Sequence, residues 1–180
     1  QKRFGSDPGL ELIHADALDL SMSDVLGRGV TKVVSNLPYS VGSRIIVNLI
    51  EADPPPSYML FTVQREVADR LKAKPGTKDY GLLSVWVQQR YDVVMNKIIS
   101  PRCFMPAPQV ESAIVELFKK SATLQPSNPS FFKDLTKRAF SQRRKQLMAL
   151  LRHYFSTPQE AEEILKSLRL DAHLRPENLL

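Results

Sequence analysis

Asn36-Leu37-Pro38-Tyr39 ends the apolar run Val33-Val34-Ser35 and places an amide, a rigid imino acid and a phenol ring within four residues. Those are the parts needed to hold an exocyclic amine on a planar base. Asn36 offers a side-chain carbonyl as acceptor, and Pro38, with its φ fixed, is expected to present its own carbonyl without a competing N–H. Tyr39 supplies a flat face. Two fixed acceptors can take both amine hydrogens, draw the nitrogen lone pair out of conjugation and aim it at an electrophile, so that positioning and electrostatics suffice without a dedicated general base. An ordinary turn with Tyr39 capping a core is the competing reading, since Asn and Pro are frequent turn residues.

Energy asks for a second ring. Taking a base out of its stack costs a few kcal/mol, whereas one aromatic contact returns roughly 1 to 3 kcal/mol. Phe104, in the proline-rich stretch PRCFMPAPQ, is the candidate for the opposite face of the base. It could equally be a hydrophobe that anchors its loop. Asp16, just after the β-like run LELIH at 10 to 14, is by itself as suited to a turn or a helix cap as to a ligand.

A second kind of chemistry is concentrated near the C-terminus. Residues 131 to 153 carry seven Lys or Arg (133, 137, 138, 143, 144, 145 and 152) against the single acid Asp134, a surplus equal to the chain's whole net charge of +6. On one continuous helix Lys133, Lys137 and Arg144 share a side, with Arg138, Lys145 and Arg152 beside them. Alternatively, Ser141 starts a second helix there. Such a stripe is either a solvated face or a surface for the phosphates of a nucleic acid.

The elements that must position these groups follow from pattern. Lys32 to Ser35 and Tyr58 to Val63 read as buried strands, while REVADRLKA after the second is helical in composition, with Glu66 and Arg70 at the spacing of a surface pair. Arg44 to Glu51 is too continuously apolar to assign by period, and Pro54 to Pro56 end it. Leu82 to Arg90 suits a helix; Asp92 to Ile99 and Ser112 to Phe118 suit two late strands forming an antiparallel edge. Strands alternating with helices argue for an α/β domain built on a mostly parallel sheet, and in such sheets ligands sit outside the carboxyl ends of the strands, where Asn36 to Tyr39 falls. SATLQPSNPS, residues 121 to 130, reads as a linker between a domain at 1 to 120 and a small all-α domain at 131 to 180.

The totals narrow the classes. One cysteine, Cys103, excludes an internal disulfide and fits a reducing compartment. His14, His153 and His173 lie far apart with no Cys at ligand spacing, which gives a metal no support. The apolar runs are too short for a membrane span and the first residues do not resemble a signal peptide, so a cytoplasmic protein is expected.

Five stretches resemble the ribosomal RNA small-subunit adenine dimethyltransferase (KsgA-like) family: HADAL (14 to 18), NLPYSVGSRII (36 to 46), VQREVADRL (63 to 71), FMPAPQVESAIVEL (104 to 117) and AFSQRRKQL (139 to 147). The last separates it from the similar methyltransferases of antibiotic resistance. The resemblance implies a Rossmann-like fold that uses S-adenosylmethionine to convert adenosines of a small-subunit rRNA hairpin to dimethyladenosines, with the assembling small ribosomal subunit as partner. It implies that Asp16 and Ala17 line the cofactor's adenine site, that Asn36 touches cofactor and target, and that the Pro38 carbonyl accepts from the amine. Tyr39 and Phe104 would sandwich the base, and Lys137, Arg138, Arg143, Arg144 and Lys145 would meet RNA. Family members carry a glycine-rich loop and an acidic ribose-binding residue ahead of the region matched here. None of the seven glycines forms G-x-G-x-x-G, and the chain opens on Gln1 in a charged stretch. The expectation is therefore an N-terminally truncated piece that binds S-adenosylmethionine poorly and does not itself methylate. A non-catalytic ribosome-assembly or transcription factor keeping the fold is the alternative; DNA adenine methylation, which more typically shows Asp-Pro-Pro-Tyr, ranks last.

Overall fold

The computed structural model describes residues 9–122, 126–142 and 145–179. After a short helix α1 (Met22–Leu26) come strand β1 (Lys32–Asn36), helix α2 (Gly42–Glu51), strand β2 (Tyr58–Gln64), helices α3 (Arg65–Lys72) and α4 (Leu82–Gln88), and strands β3 (Tyr91–Ile99) and β4 (Ser112–Lys119). Helices α5 (Pro129–Ser141), α6 (Leu147–Leu151) and α7 (Pro158–Ser167) follow.

The strands form one sheet in the order β1-β2-β4-β3. β1 and β2 are parallel, with Asn36 opposite Thr62. β4 lies between β2 and β3 and runs against both, Ser112 standing opposite Gln64 on one side and Ile99 on the other. The expectation of a mostly parallel sheet is thus corrected to a mixed one. The late strands form the antiparallel edge that the sequence suggests: β3 is the end strand, and β4 lies between it and β2 with both of its own edges satisfied.

LELIH is not a strand. Residues 10 to 14 carry no strand assignment, and Leu10, Leu12 and Ile13 are all exposed. A strand exists through its ladder, and this run does not pair with the outer edge of β1, the end strand of the described sheet.

One sheet face makes the core. Met59, Phe61 and Val63 of β2 and Ala113, Val115 and Leu117 of β4 are buried there against α2 and α3. The run at 44 to 51 resolves as a helix because Ile45, Ile46, Leu49 and Ile50 fall on one side, all buried against that face. Ala52 turns extended before the prolines and stops it. Residues of the opposite face are half-buried to exposed, Val34 reaching 72% and Phe118 43%, apart from Ser112, which is fully buried.

Asn128 caps α5 by accepting from the Phe131 N–H at 3.0 Å, so the helix begins inside the stretch read as a linker, whose residues 123–125 lie outside the described part. α5 sits on the α/β layer: Trp86 Nε1 donates to Thr136 Oγ1 at 3.0 Å, Tyr80 meets Phe140 edge-on, and Lys133 Nζ is 2.8 Å from Glu51 Oε1. Of the two arrangements open for residues 131 to 153, the structure has separate helices and not one continuous one. α5 ends at Ser141, and α6 starts at Leu147, where the Leu147 and Met148 N–H groups donate to the carbonyls of Leu174 and Ala172. That C-terminal segment takes the first N–H groups of α6, so Lys133, Lys137 and Arg138 of α5 do not share a helix with Arg152. Among the described residues no helix is long and apolar enough to cross a membrane, and no three His, Cys, Asp or Glu side chains are grouped to hold a metal ion.

Candidate active site

The chain leaves β1 through Leu37, whose N–H still donates to Thr62 of β2 at 3.1 Å while its side chain, 4% exposed, plugs the core. Helix α2 starts immediately beneath. A Cβ at Gly42 would stand 3.3 Å from the Leu37 Cβ, so glycine lets the helix N-terminus close up under the corner.

The Pro38 carbonyl is not free. It accepts from the Gly42 N–H at 2.8 Å and from the Val41 N–H at 3.3 Å, because the turn into α2 aims these otherwise unpaired donors at it. The expectation of a carbonyl without a competing N–H is therefore corrected for Pro38. The Leu37 carbonyl, one residue earlier, accepts no hydrogen bond among the described residues. Together with the exposed Asn36 amide it leaves the corner with two unengaged oxygens on adjacent residues.

Tyr39 is half-buried, and its hydroxyl lies 2.6 Å from Ser112 Oγ at the start of β4. Phe104, also half-buried, sits in the loop between β3 and β4, just after a single 3-10 turn (Pro101–Cys103) in which its N–H donates to the Pro101 carbonyl at 3.1 Å. Arg65 holds the return of that loop: its N–H donates to the Glu111 carbonyl at 2.9 Å and its Nη1 to Glu111 Oε2 at 2.6 Å. Residues 36 to 39 and Phe104, Met105, Pro106 and Pro108 line one cavity of about 320 Å³. That volume is at the small end of ligand sites. Tyr39 and Phe104 make no ring contact with one another among the described residues.

A larger groove of about 640 Å³ runs along β1 from the other side of the corner and shares Leu37 and Pro38 with this cavity. It is lined by Asp16 and Ala17, by Val33 and Ser35, and by Ile45 and Leu49 of α2. Asp16 is a turn former here: its Oδ1 accepts from the Leu18 N–H at 2.8 Å and its carbonyl from the Asp19 N–H at 3.0 Å. Its side chain stays exposed, with acceptor capacity remaining at the mouth of the groove.

The basic residues are dispersed. Lys137 Nζ stands 5.7 Å from the centre of the Trp86 ring, and Arg138 lies over Tyr154 at 5.6 Å with its Nε buried and unpartnered. Lys145 is exposed between α5 and α6. Arg143 and Arg144 fall outside the described residues.

A family model described as ribosomal RNA adenine dimethylase matches residues 1–175. The chain belongs to that family. A ribosomal RNA small subunit methyltransferase A of Lawsonia intracellularis is 42% identical over 171 residues, covering 92% of this chain and 60% of the relative. One from Lactobacillus johnsonii is 40% identical, over 90% of this chain and 52% of its own length. The chain thus spans between about half and two thirds of the curated relatives it matches. Among solved structures, a dimethyladenosine transferase from Plasmodium falciparum superposes with a TM-score of 0.73 at 25% identity, over 82% of this chain and 62% of that one. A 23S rRNA methyltransferase, ErmE, has a TM-score of 0.61 at 22% identity over 98% of this chain, a likeness of fold.

A member of this dimethylase family is expected to hold S-adenosylmethionine, and the described residues fit one end of it. The groove offers an exposed carboxylate beside apolar walls, which suits the amine and flat ring of adenine. For the charged methionine end the groove lining supplies only Lys32 and Ser35 as further polar side chains. Sequence reasoning had placed Asn36, Pro38, Tyr39 and Phe104 at one site, and all four line one cavity. Two features of the corner carry no sequence signal: the unengaged oxygen of Leu37, a backbone carbonyl that any residue type has, and the contact of Ser112 with the Tyr39 hydroxyl.

Proposed function

We propose that the corner at residues 36 to 39 receives an unstacked adenosine of small-subunit rRNA, and that the whole protein dimethylates its N6 amine. The cavity that joins Asn36–Tyr39 to Phe104, 65 residues further along the chain, carries this reading. Tyr39 and Phe104 hold the two faces of the base. Asn36 Oδ1 and the Leu37 carbonyl accept the two amine hydrogens and turn the nitrogen lone pair toward the groove. S-adenosylmethionine, when bound, supplies an electrophilic methyl group there. Asp16 and Ala17 hold its adenine end. No side chain near the corner is required as a general base: the activation comes from fixed acceptors, and the proton released by the methylated nitrogen passes to solvent after transfer.

The glycine-rich loop of the family has no counterpart in these 180 residues. The chain by itself therefore binds S-adenosylmethionine weakly and does not turn over; saturable micromolar binding in calorimetry would contradict this. Lys137, Arg138, Arg143, Arg144 and Lys145 meet the phosphates of the hairpin, and the protein serves small-subunit biogenesis through this contact. The test of base capture compares the hairpin with copies in which each loop adenosine in turn is replaced by an abasic nucleotide. Capture predicts that one position binds more tightly with its base than without. Equal affinity at every position would end the reading.

A further inference from the structure

Ser112 is fully buried on a sheet face that is otherwise open. Its cross-strand partners Gln64 and Ile99 and the residues that follow it on the same face, Ile114, Glu116 and Phe118, are all half-buried or exposed. Nothing in the strand pattern calls for a polar residue with no solvent contact at that point. A buried hydroxyl needs a partner, and the one it has is the Tyr39 hydroxyl at 2.6 Å. The contact links two segments 73 residues apart. It joins the corner that carries Tyr39 to the strand end from which the loop carrying Phe104 departs. The neighbouring residue, Glu111, fixes the same strand end to Arg65 through backbone and side chain.

We infer that Ser112 is a positioning residue for the target base: its hydroxyl holds the Tyr39 ring at a fixed distance and tilt from the wall bearing Phe104. The inference rests on the reading of this cavity as the base site. Without the hydrogen bond Tyr39 keeps its place in the chain, but its ring can swing about χ1 and χ2, and each capture of a base must then order it again. Ser112 touches no substrate in this account; it acts through Tyr39 alone.

The experiment measures binding of the adenosine hairpin and of its abasic copy by the wild-type chain and by Ser112→Ala, Tyr39→Phe and the double variant. Ser112→Ala is expected to reduce the preference for adenosine over abasic about 2- to 12-fold, the range of one net hydrogen bond, with affinity for the abasic hairpin unchanged. Tyr39→Phe, which keeps the ring and the fold, gives the same reduction, and the double variant goes no further than either single one. An unchanged preference in Ser112→Ala, an equal loss on both hairpins, or a double variant that multiplies the single effects would each overturn the inference while leaving the base site standing. A wild-type chain with no preference would instead bring down the base site, and the role of Ser112 with it.

Discussion

Phe104→Ala separates base capture from folding, because its ring belongs to the cavity and not to the core. Phe104 is half-exposed on a loop, has no aromatic partner among the described residues, and is absent from the hydrophobic cluster that contains Phe61 and Tyr91. Removing it should cost folding less than the roughly 3 to 5 kcal/mol of truncating a fully buried aromatic, and that cost is the same whichever hairpin is offered. Its effect on the base is read separately. A ring stacked on a base contributes about 1 to 3 kcal/mol, while unstacking costs a few, so Tyr39 alone leaves the captured state near balance. The preference of the chain for the adenosine hairpin over the abasic one should therefore fall by about 5- to 150-fold, or until no preference remains. Fluorescence anisotropy on both hairpins, with urea melts of both proteins, gives the two numbers independently. A preserved preference in a normally folded Phe104→Ala chain would refute the two-ring argument.

Other expectations follow from charge and burial. Tyr91 is fully buried and donates to the Pro56 carbonyl at 2.8 Å; burial pushes its phenol up to about 12 from an ordinary 10.0. Its contribution is complete below about pH 10 and lost as pH rises toward 12, so a stability profile should decline there in wild type and be flatter in Tyr91→Phe. The Tyr58 hydroxyl, 2.7 Å from Glu116 Oε2, and the Asn96 amide hold the Glu116 carboxyl below its usual range. That contribution is present above the unfolded value near 4.5 and disappears as pH falls, and Glu116→Gln should flatten the acid side of the melting curve. Replacing Arg143, Arg144 and Lys145 by Ala should lower the slope of log affinity against log salt by roughly 2 to 3, at about 0.7 to 0.9 per phosphate contact; an unchanged slope would remove those side chains from the interface.

What the sequence reveals here is what local chemistry decides. KVVS and YMLFTV are β-branched or aromatic runs with sharp ends, and both are strands in the parallel pairing that alternation suggests. The apolar side of RIIVNLIE needs the sheet beneath it before helix wins over strand. LELIH has strand composition, but pairing is a property of the neighbour as well as of the run. The position of β4 between β2 and β3 is a matter of long-range pairing that no short pattern encodes. The break between α5 and α6 carries neither Gly nor Pro; the first N–H groups of α6 are instead taken by the carbonyls of Leu174 and Ala172, 27 and 24 residues further along. At the site, residue types announced Asn36, Tyr39 and Phe104. Which of the Pro38 and Leu37 carbonyls is left unengaged depends on where the N–H groups of α2 point, which only the folded turn sets.

Photo-crosslinking tests the central claim most directly. A small-subunit hairpin carrying 8-azidoadenosine at the position that shows base preference is bound to the chain, irradiated, and the attached peptide is sequenced. Attachment within residues 36 to 39 or 104 to 108 is the predicted result. Attachment confined to α5, α6 and α7, with none at the corner, would contradict it.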